Sequence, residues 1–183
     1  MRVIAGSVKG KRLRSPKGAT RPTTELVRGA IFSIIQPMLA EEWRAVDLYA
    51  GSGALGIEAL SRGAEWVAFV ESDPRCCATI KANLDLTGLA SLAKVYCCSV
   101  NRALSILQGP YDVVMLDPPY SDPALLGTVE RAVASGVVGD GTTLVVQHST
   151  RQPLPPAIGH FYLFSSRRYG DTCLSIYRQE ARN

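Results

Sequence analysis

An α/β domain built on a mostly parallel, doubly wound sheet is the fold class this sequence predicts. Three observations predict it. From Ala45 onward, short apolar runs alternate with longer amphipathic stretches in the order strand, helix, strand, helix, the pattern of parallel strands joined by right-handed crossovers. A glycine-rich turn, Gly51-Ser52-Gly53-Ala54-Leu55-Gly56, follows the first of those runs and opens a helix. The run Val113-Val114-Met115-Leu116 has the length and composition of a strand buried on both faces.

The elements follow in order. Residues 1–18 mix short apolar pieces (Val3-Ile4-Ala5) with Gly6, Gly10 and Gly18, which reads as a small hairpin with basic turns. Thr23 or Thr24 can cap a helix whose Leu26, Val27, Ala30, Ile31, Ile34 and Ile35 share one face, with Pro37 as its expected end. Val46-Asp47-Leu48-Tyr49 is the first strand; a helix through Ile57 and Leu60 follows and Gly63 ends it. Trp66 to Val70 is the second strand. Asp73-Pro74 supplies an N-cap and first-turn pair for the next helix, which stops near Gly88. Val95–Cys98, Asp112–Leu116 and Thr143–Gln147 complete five parallel strands. In the tail, Phe161–Phe164 and Cys173–Tyr177 flank Tyr169-Gly170-Asp171, so an antiparallel pair should finish a seven-stranded sheet.

At 183 residues the chain reads as one core, divided here into a basic extension, residues 1–40, and a main domain, residues 41–183. No apolar run approaches about 18 residues and the N-terminus is basic, so neither a membrane span nor a signal peptide is expected. The five cysteines stand as Cys76-Cys77, Cys97-Cys98 and Cys173, without a C-x-x-C, and the only histidines are His148 and His160. A metal site is not expected, and free thiols fit a reducing cytoplasm. The net charge of +4 hides an asymmetry. Residues 1–28 hold eight basic residues (Arg2, Lys9, Lys11, Arg12, Arg14, Lys17, Arg21 and Arg28) against Glu25 alone, a charge of +7, while the rest of the chain carries −3. A basic arm on a mildly acidic body suggests a polyanion partner, although a solvated surface segment has the same composition.

Gly51 to Gly56 fits G-x-G-x-x-G in the right context, after a strand and opening a helix. Glu71 stands 20 residues after Gly51, at the end of the next strand, where a carboxylate can accept both ribose hydroxyls of a nucleoside cofactor. The motif alone does not separate NAD from S-adenosylmethionine. Asp47 does: a carboxylate there can bind an ammonium and would repel a pyrophosphate. Ser99 follows the third strand, where it can contact an adenine or be an ordinary loop serine.

Asp117-Pro118-Pro119-Tyr120 stops the fourth strand abruptly. The prolines have fixed φ and no N–H, and Pro118 forces Asp117 into an extended conformation. The result is a stiff corner with a carboxylate, free carbonyls and an aromatic ring. Strand-end punctuation is the plain alternative. In an open α/β sheet ligands gather at the carboxyl ends of the strands, so this corner should border the cofactor at strand one.

These residues resemble a known family. Asp117-Pro118-Pro119-Tyr120 looks like the [DN]PP[YFW] signature of S-adenosylmethionine-dependent methyltransferases acting on exocyclic base amines. Arg2-Val3-Ile4-Ala5-Gly6, Gly10-Lys11-Arg12-Leu13, Arg21-Pro22-Thr23-Thr24 with Val27-Arg28 and Phe32, Asp47 to Gly56, Ser61-Arg62-Gly63-Ala64 and Tyr169-Gly170-Asp171 narrow the resemblance to the RsmD type. That family methylates guanine N2 in small-subunit (16S) ribosomal RNA. Gly29, where the family usually has an acid, and Ser99, where it often has Asp or Asn, are departures.

The resemblance implies a Rossmann-like class I methyltransferase fold with S-adenosyl-L-methionine as cofactor. It implies Asp117, Pro118, Pro119 and Tyr120 as catalytic residues. The cofactor contacts it implies are Asp47, Tyr49, Gly51, Ser52, Gly53 and Gly56, with Glu71, Ser99, Val100 and Asp117. RNA contacts fall to Lys9, Lys11, Arg12, Arg14, Arg21, Thr23 and Arg28. The expected partner is small-subunit ribosomal RNA or an assembling subunit, met by a cytoplasmic monomer without metal or membrane.

The chemistry suits the corner. A base amine is a poor nucleophile because its lone pair is delocalised into the ring. Accepting its two N–H bonds at the Asp117 carboxylate and the Pro118 carbonyl draws the nitrogen towards tetrahedral geometry, and Asp117 stabilises the positive charge that develops. Tyr120 can stack on a flipped base. Two other readings share parts of this pattern: a DNA adenine-N6 or cytosine-N4 methyltransferase, and a non-catalytic RNA-binding protein that retains the cofactor fold.

Overall fold

The structure is a computed structural model that describes residues 1–16, 24–120 and 122–179. After the arm comes α1 (Glu25–Ile35), then the alternating series β1 (Arg44–Leu48), α2 (Ala54–Ser61), β2 (Trp66–Glu71), α3 (Pro74–Thr87) and β3 (Ala93–Cys97). α4 (Val100–Ile106), β4 (Val113–Leu116), α5 (Leu125–Val133) and β5 (Thr143–Ser149) continue it, and β6 (Ala157–Ile158), β7 (Phe161–Tyr169) and β8 (Thr172–Gln179) close the chain. One sheet results, in the order β3-β2-β1-β4-β5-β8-β7-β6. β1 to β5 are parallel; β8 runs antiparallel to β5 and β7.

Alternation along the strands explains why the sequence is apolar without a break. Val113 and Met115 of β4 point into the layer that holds Ile31, Phe32, Ile57 and Phe69. Val114 and Leu116 point into the opposite layer with Val129, Phe161 and Tyr177. Each such side chain is fully buried and contributes about 1.5–3 kcal/mol relative to exposure. Local signals place the helix ends. The Thr24 hydroxyl accepts the Val27 N–H at 3.3 Å, and the Asp73 carboxylate accepts the Arg75 N–H at 2.8 Å ahead of Pro74. Gly88 closes α3 with φ +77°.

One expectation changes in detail. The sheet has eight strands rather than seven, because Ala157–Ile158 pairs with Phe161 and Tyr162; two residues carry no period of their own, so only the tertiary partner makes them a strand. The arm closes as a small antiparallel hairpin: Arg2 bridges Arg12, the Val3 N–H donates to the Lys11 carbonyl at 3.0 Å, the Gly10 N–H to the Val3 carbonyl at 2.9 Å and the Leu13 N–H to the Met1 carbonyl at 2.9 Å. α1 ends at Ile35 with Gln36 as its C-cap, directly before Pro37, which sits in a short 3-10 turn, Gln36–Met38. Val3 and Leu13 of the arm and Val27 and Ile31 of α1 belong to the same buried layer as Ile57 and Phe69. Among the described residues no helix is long and apolar enough to cross a membrane.

Candidate active site

The chain leaves β1 towards β2 and β3 on one side of the sheet, and β4 and β5 lie on the other. The switch between β1 and β4 opens a crevice at their carboxyl ends. Tyr49, Gly51 and Gly53 turn the chain there with φ of +68°, +57° and +79°. Glu71, at the end of β2, holds the loop in shape: its Oε2 accepts the Gly51 N–H at 2.8 Å and its Oε1 the Asp73 N–H at 2.8 Å.

The three glycines do different work. A Cβ on Gly51 would meet nothing within 4 Å, so that surface is open to a ligand. A Cβ on Gly56 would lie 2.3 Å from Phe69 Cε1, so this glycine lets α2 pack against β2. Gly53 is intermediate, with Ile80 at 3.1 Å.

Asp47 is buried in β1, and its Oδ2 accepts the Gly56 N–H at 2.9 Å. Burial pushes its carboxyl up to about 8, against the lowering effect of that N–H. The negative charges of Asp117 and Glu71 push the same way as burial. Three carboxylates therefore share one field at the strand ends.

Asp117 donates its N–H to the Leu48 carbonyl at 3.4 Å and so continues the β1–β4 pairing into the corner. Pro118 is buried, Asp117 half-buried, and Pro119 and Tyr120 are exposed, Tyr120 by 40%. Beyond the corner the Asp122 N–H reaches the Pro119 carbonyl at 3.0 Å, and Gln152 donates to the Asp122 carbonyl at 3.1 Å. Tyr49 turns its hydroxyl towards Thr128 of α5, and burial pushes that phenol up.

A family model described as "Conserved hypothetical protein 95" matches residues 1–178. The chain belongs to that family, the RsmD family. In Bacillus subtilis, "Putative rRNA methyltransferase YlbH" is 37% identical over 183 residues, covering 98% of this chain and 99% of its own. In Escherichia coli K12, "Ribosomal RNA small subunit methyltransferase D" is 30% identical over 182 residues, 99% of this chain and 91% of its own. The solved structure of "Putative methyltransferase yhhF from Escherichia coli" superposes with a TM-score of 0.88 at 28% identity, over 100% of this chain and 99% of that one.

Membership in the RsmD family makes the chain a methyltransferase with S-adenosylmethionine as its cofactor. The crevice fits that group. The negative charges of Glu71 and Asp117 beside the loop suit a ligand that carries an ammonium and a sulfonium and disfavour a pyrophosphate. Buried Asp47, pushed up to about 8, gains its charge when such a cation sits beside it, and the open face of Gly51 lets the ligand approach the backbone.

Other expected residues of this RsmD chain lie as follows. Ser99 caps α4, its hydroxyl accepting the Arg102 N–H at 3.3 Å, and Val100 is the first, buried residue of that helix. Lys9, Lys11, Arg12 and Arg14 are exposed, and Lys11 Nζ donates to the Leu86 carbonyl at 3.2 Å. Arg21 and Thr23 lie outside the described residues. Arg28 is a correction. It has no exposed surface, and its Nη2 donates to the Arg2 carbonyl at 2.7 Å. Desolvation lowers its pKa while Glu58 and Glu25 oppose that shift. It braces the arm from inside and is not presented to a phosphate.

Sequence reasoning missed the residues that dock the arm. Glu58 of α2 is fully buried and accepts the N–H groups of Ile4 at 2.8 Å and Ala5 at 3.0 Å, as well as Arg62 Nε at 2.7 Å. Ser61 takes the Ser7 N–H on its carbonyl at 2.7 Å and the Val8 N–H on its hydroxyl at 3.2 Å. The Glu58–Arg62 spacing looks like a surface i,i+4 pair, and nothing local marks Glu58 as buried. The thiols of Cys77 and Cys97 lie 2.7 Å apart beside Glu71, whose strand partner is Cys97; burial, first among the causes, pushes the Cys77 thiol up to about 12.

Proposed function

We propose that this protein methylates the exocyclic N2 amine of a guanine in small-subunit ribosomal RNA. The observation that carries the reading is the Asp117-Pro118-Pro119-Tyr120 corner, placed one strand from the glycine loop at the sheet's switch point. The corner's side-chain carboxylate and proline carbonyls are acceptors, and Pro118 and Pro119 have no N–H to offer. A base amine is the complementary donor. S-adenosylmethionine, when bound, supplies an electrophilic methyl group.

In this reading Asp117 and the Pro118 carbonyl accept the two amine N–H bonds, orient the nitrogen and stabilise the charge that develops on it. Tyr120, exposed at the rim, stacks on the flipped base. Glu71 and Asp47 hold the cofactor's ribose and ammonium. Lys9, Lys11, Arg12 and Arg14 grip phosphates and position the RNA without reading its bases. The names of the B. subtilis and E. coli relatives support an rRNA substrate, the latter specifying the small subunit.

A tritiated-methyl assay tests the whole reading by comparing naked ribosomal RNA, small ribosomal subunits and duplex DNA, followed by nucleoside analysis. Label in N2-methylguanosine from either RNA substrate is the expected result. Label in DNA as N6-methyladenine or N4-methylcytosine would overturn it, as would no transfer to any of the three.

A further inference from the structure

Asn83 lies in the third turn of α3 with no exposed surface, and none of the chemistry above uses it. Its Oδ1 accepts the Arg14 N–H at 2.8 Å. Its Nδ2 donates to the Arg14 carbonyl at 3.0 Å and to the Ser52 carbonyl at 2.9 Å. These partners fix the amide's orientation, because flipping it would set N–H against N–H and oxygen against two carbonyls. One buried side chain thus joins the basic arm to the middle of the glycine loop. Ser52 stands between Gly51 and Gly53, both in left-handed backbone, and the Asn83 amide reaches its carbonyl from outside the loop.

We propose that Asn83 is a positioning residue that couples the arm to the cofactor loop, so that RNA and S-adenosylmethionine each tighten the binding of the other. This rests on the proposed role of the arm in holding RNA. Phosphates on Lys9, Lys11, Arg12 and Arg14 steady the arm, Arg14's peptide steadies the Asn83 amide, and the amide steadies the Ser52 carbonyl. Linkage makes the effect equal in both directions. A role confined to the loop would affect the cofactor alone, and a role confined to the arm would affect RNA alone.

The test measures S-adenosylmethionine affinity by calorimetry with and without saturating ribosomal RNA, and RNA affinity by filter binding with and without the cofactor. The wild type should show a coupling factor of about fivefold or more, equal from both sides. In Asn83→Ala both affinities should fall and the factor should approach one. A wild-type protein without coupling, or an Asn83→Ala protein that keeps the full factor, overturns the proposal.

Should Asn83→Ala fail to fold, Arg14→Pro and Arg14→Ala replace it. Both remove the exposed charge, but only proline also removes the N–H that Asn83 accepts. Arg14→Pro should weaken cofactor binding in the absence of RNA more than Arg14→Ala does. Equal cofactor affinity in the two variants overturns the link between arm and loop. A wild-type salt dependence of RNA binding in Arg14→Ala counts instead against the arm's grip on phosphates, so the two failures are distinguishable.

Discussion

At the ends of β1 and β2 two acids, Asp47 and Glu71, are tied to backbone N–H groups, whereas just past β4 two prolines have no N–H groups. Asp47 holds Gly56, and Glu71 holds Gly51 and Asp73. That half is finished before any ligand arrives: loop, helix start and neighbouring turn are linked through two carboxylates. The β4 corner is stiff for a different reason. Its rigidity is covalent, in Pro118 and Pro119, whose nitrogens have no N–H to tie to a neighbour. A site that must hold a cofactor in one pose gains from the first design. A site that must receive the amine of a flipped base gains from the second.

The largest effect should therefore come from the acceptor half. Asp117→Ala should lower kcat by at least ~10²-fold while S-adenosylmethionine affinity survives, because in the proposed function the acid acts chiefly on the target amine. Single-turnover transfer and calorimetry on the same preparation check both parts. Turnover near wild type would erase the distinction between the two strand ends.

Within the prebuilt half, the glycines sharpen the comparison. Gly56→Ala places a methyl group 2.3 Å from Phe69 Cε1 and should destabilise the fold by about 1–3 kcal/mol through overpacking. Gly51→Ala meets no atom within 4 Å and asks alanine to adopt φ +57°, at roughly 1–2 kcal/mol. Urea unfolding should rank Gly56→Ala as equally or more destabilised, whereas cofactor affinity, corrected for unfolded protein, should fall mainly in Gly51→Ala. The reverse pattern would mean that the ligand approaches the helix start and not the loop.

The parts of this architecture that sequence reveals are those whose causes are local. Asp73-Pro74 and Gly88 mark the ends of α3 because capping is settled within a few residues. The glycine loop and the proline corner are contiguous motifs, and Val113 to Leu116 betrays its burial by composition alone. What escapes is settled between residues far apart. Arg28 counts as one more positive charge in the arm until the fold places it inside, against the Arg2 carbonyl. Ser99 becomes a helix cap only once α4 begins at Val100. Asn83 bonds to a residue 69 positions away and Glu58 to ones 53 and 54 away, and neither side chain has a local reason to be buried.

The arm gives a smaller effect on turnover but a distinctive one on binding. Neutralising Lys9, Lys11, Arg12 and Arg14 together should weaken RNA binding and flatten its log–log salt dependence. The slope should fall by about 0.7 to 0.9 for each phosphate that the arm no longer neutralises. Base preference should persist, since phosphate contacts position and base contacts select. Filter binding at several salt concentrations measures the slope. A wild-type slope would leave the arm as a solvated surface and place the grip on RNA entirely elsewhere.

Asp47 gives the smallest and most diagnostic effect. Its folded-state pKa, about 8, lies above the ordinary 3.8, so between those values the folded protein without cofactor binds more protons than the unfolded chain. Asp47's contribution to stability is then fully present below pH 4 and is lost as pH rises through 8. A ligand ammonium beside Asp47 favours its ionised form, so cofactor binding near pH 7 should release a proton and affinity should rise from pH 6 to pH 8. Calorimetry in two buffers of different ionisation enthalpy counts that proton. Asp47→Asn keeps an acceptor for the Gly56 N–H but cannot ionise. It should flatten the pH dependence of stability, abolish the proton release and bind the cofactor more weakly at pH 8. If the wild type binds with no proton release and a flat pH profile, Asp47 serves only to hold α2 against β1, and the cationic end of the cofactor must be met by Glu71 and Asp117.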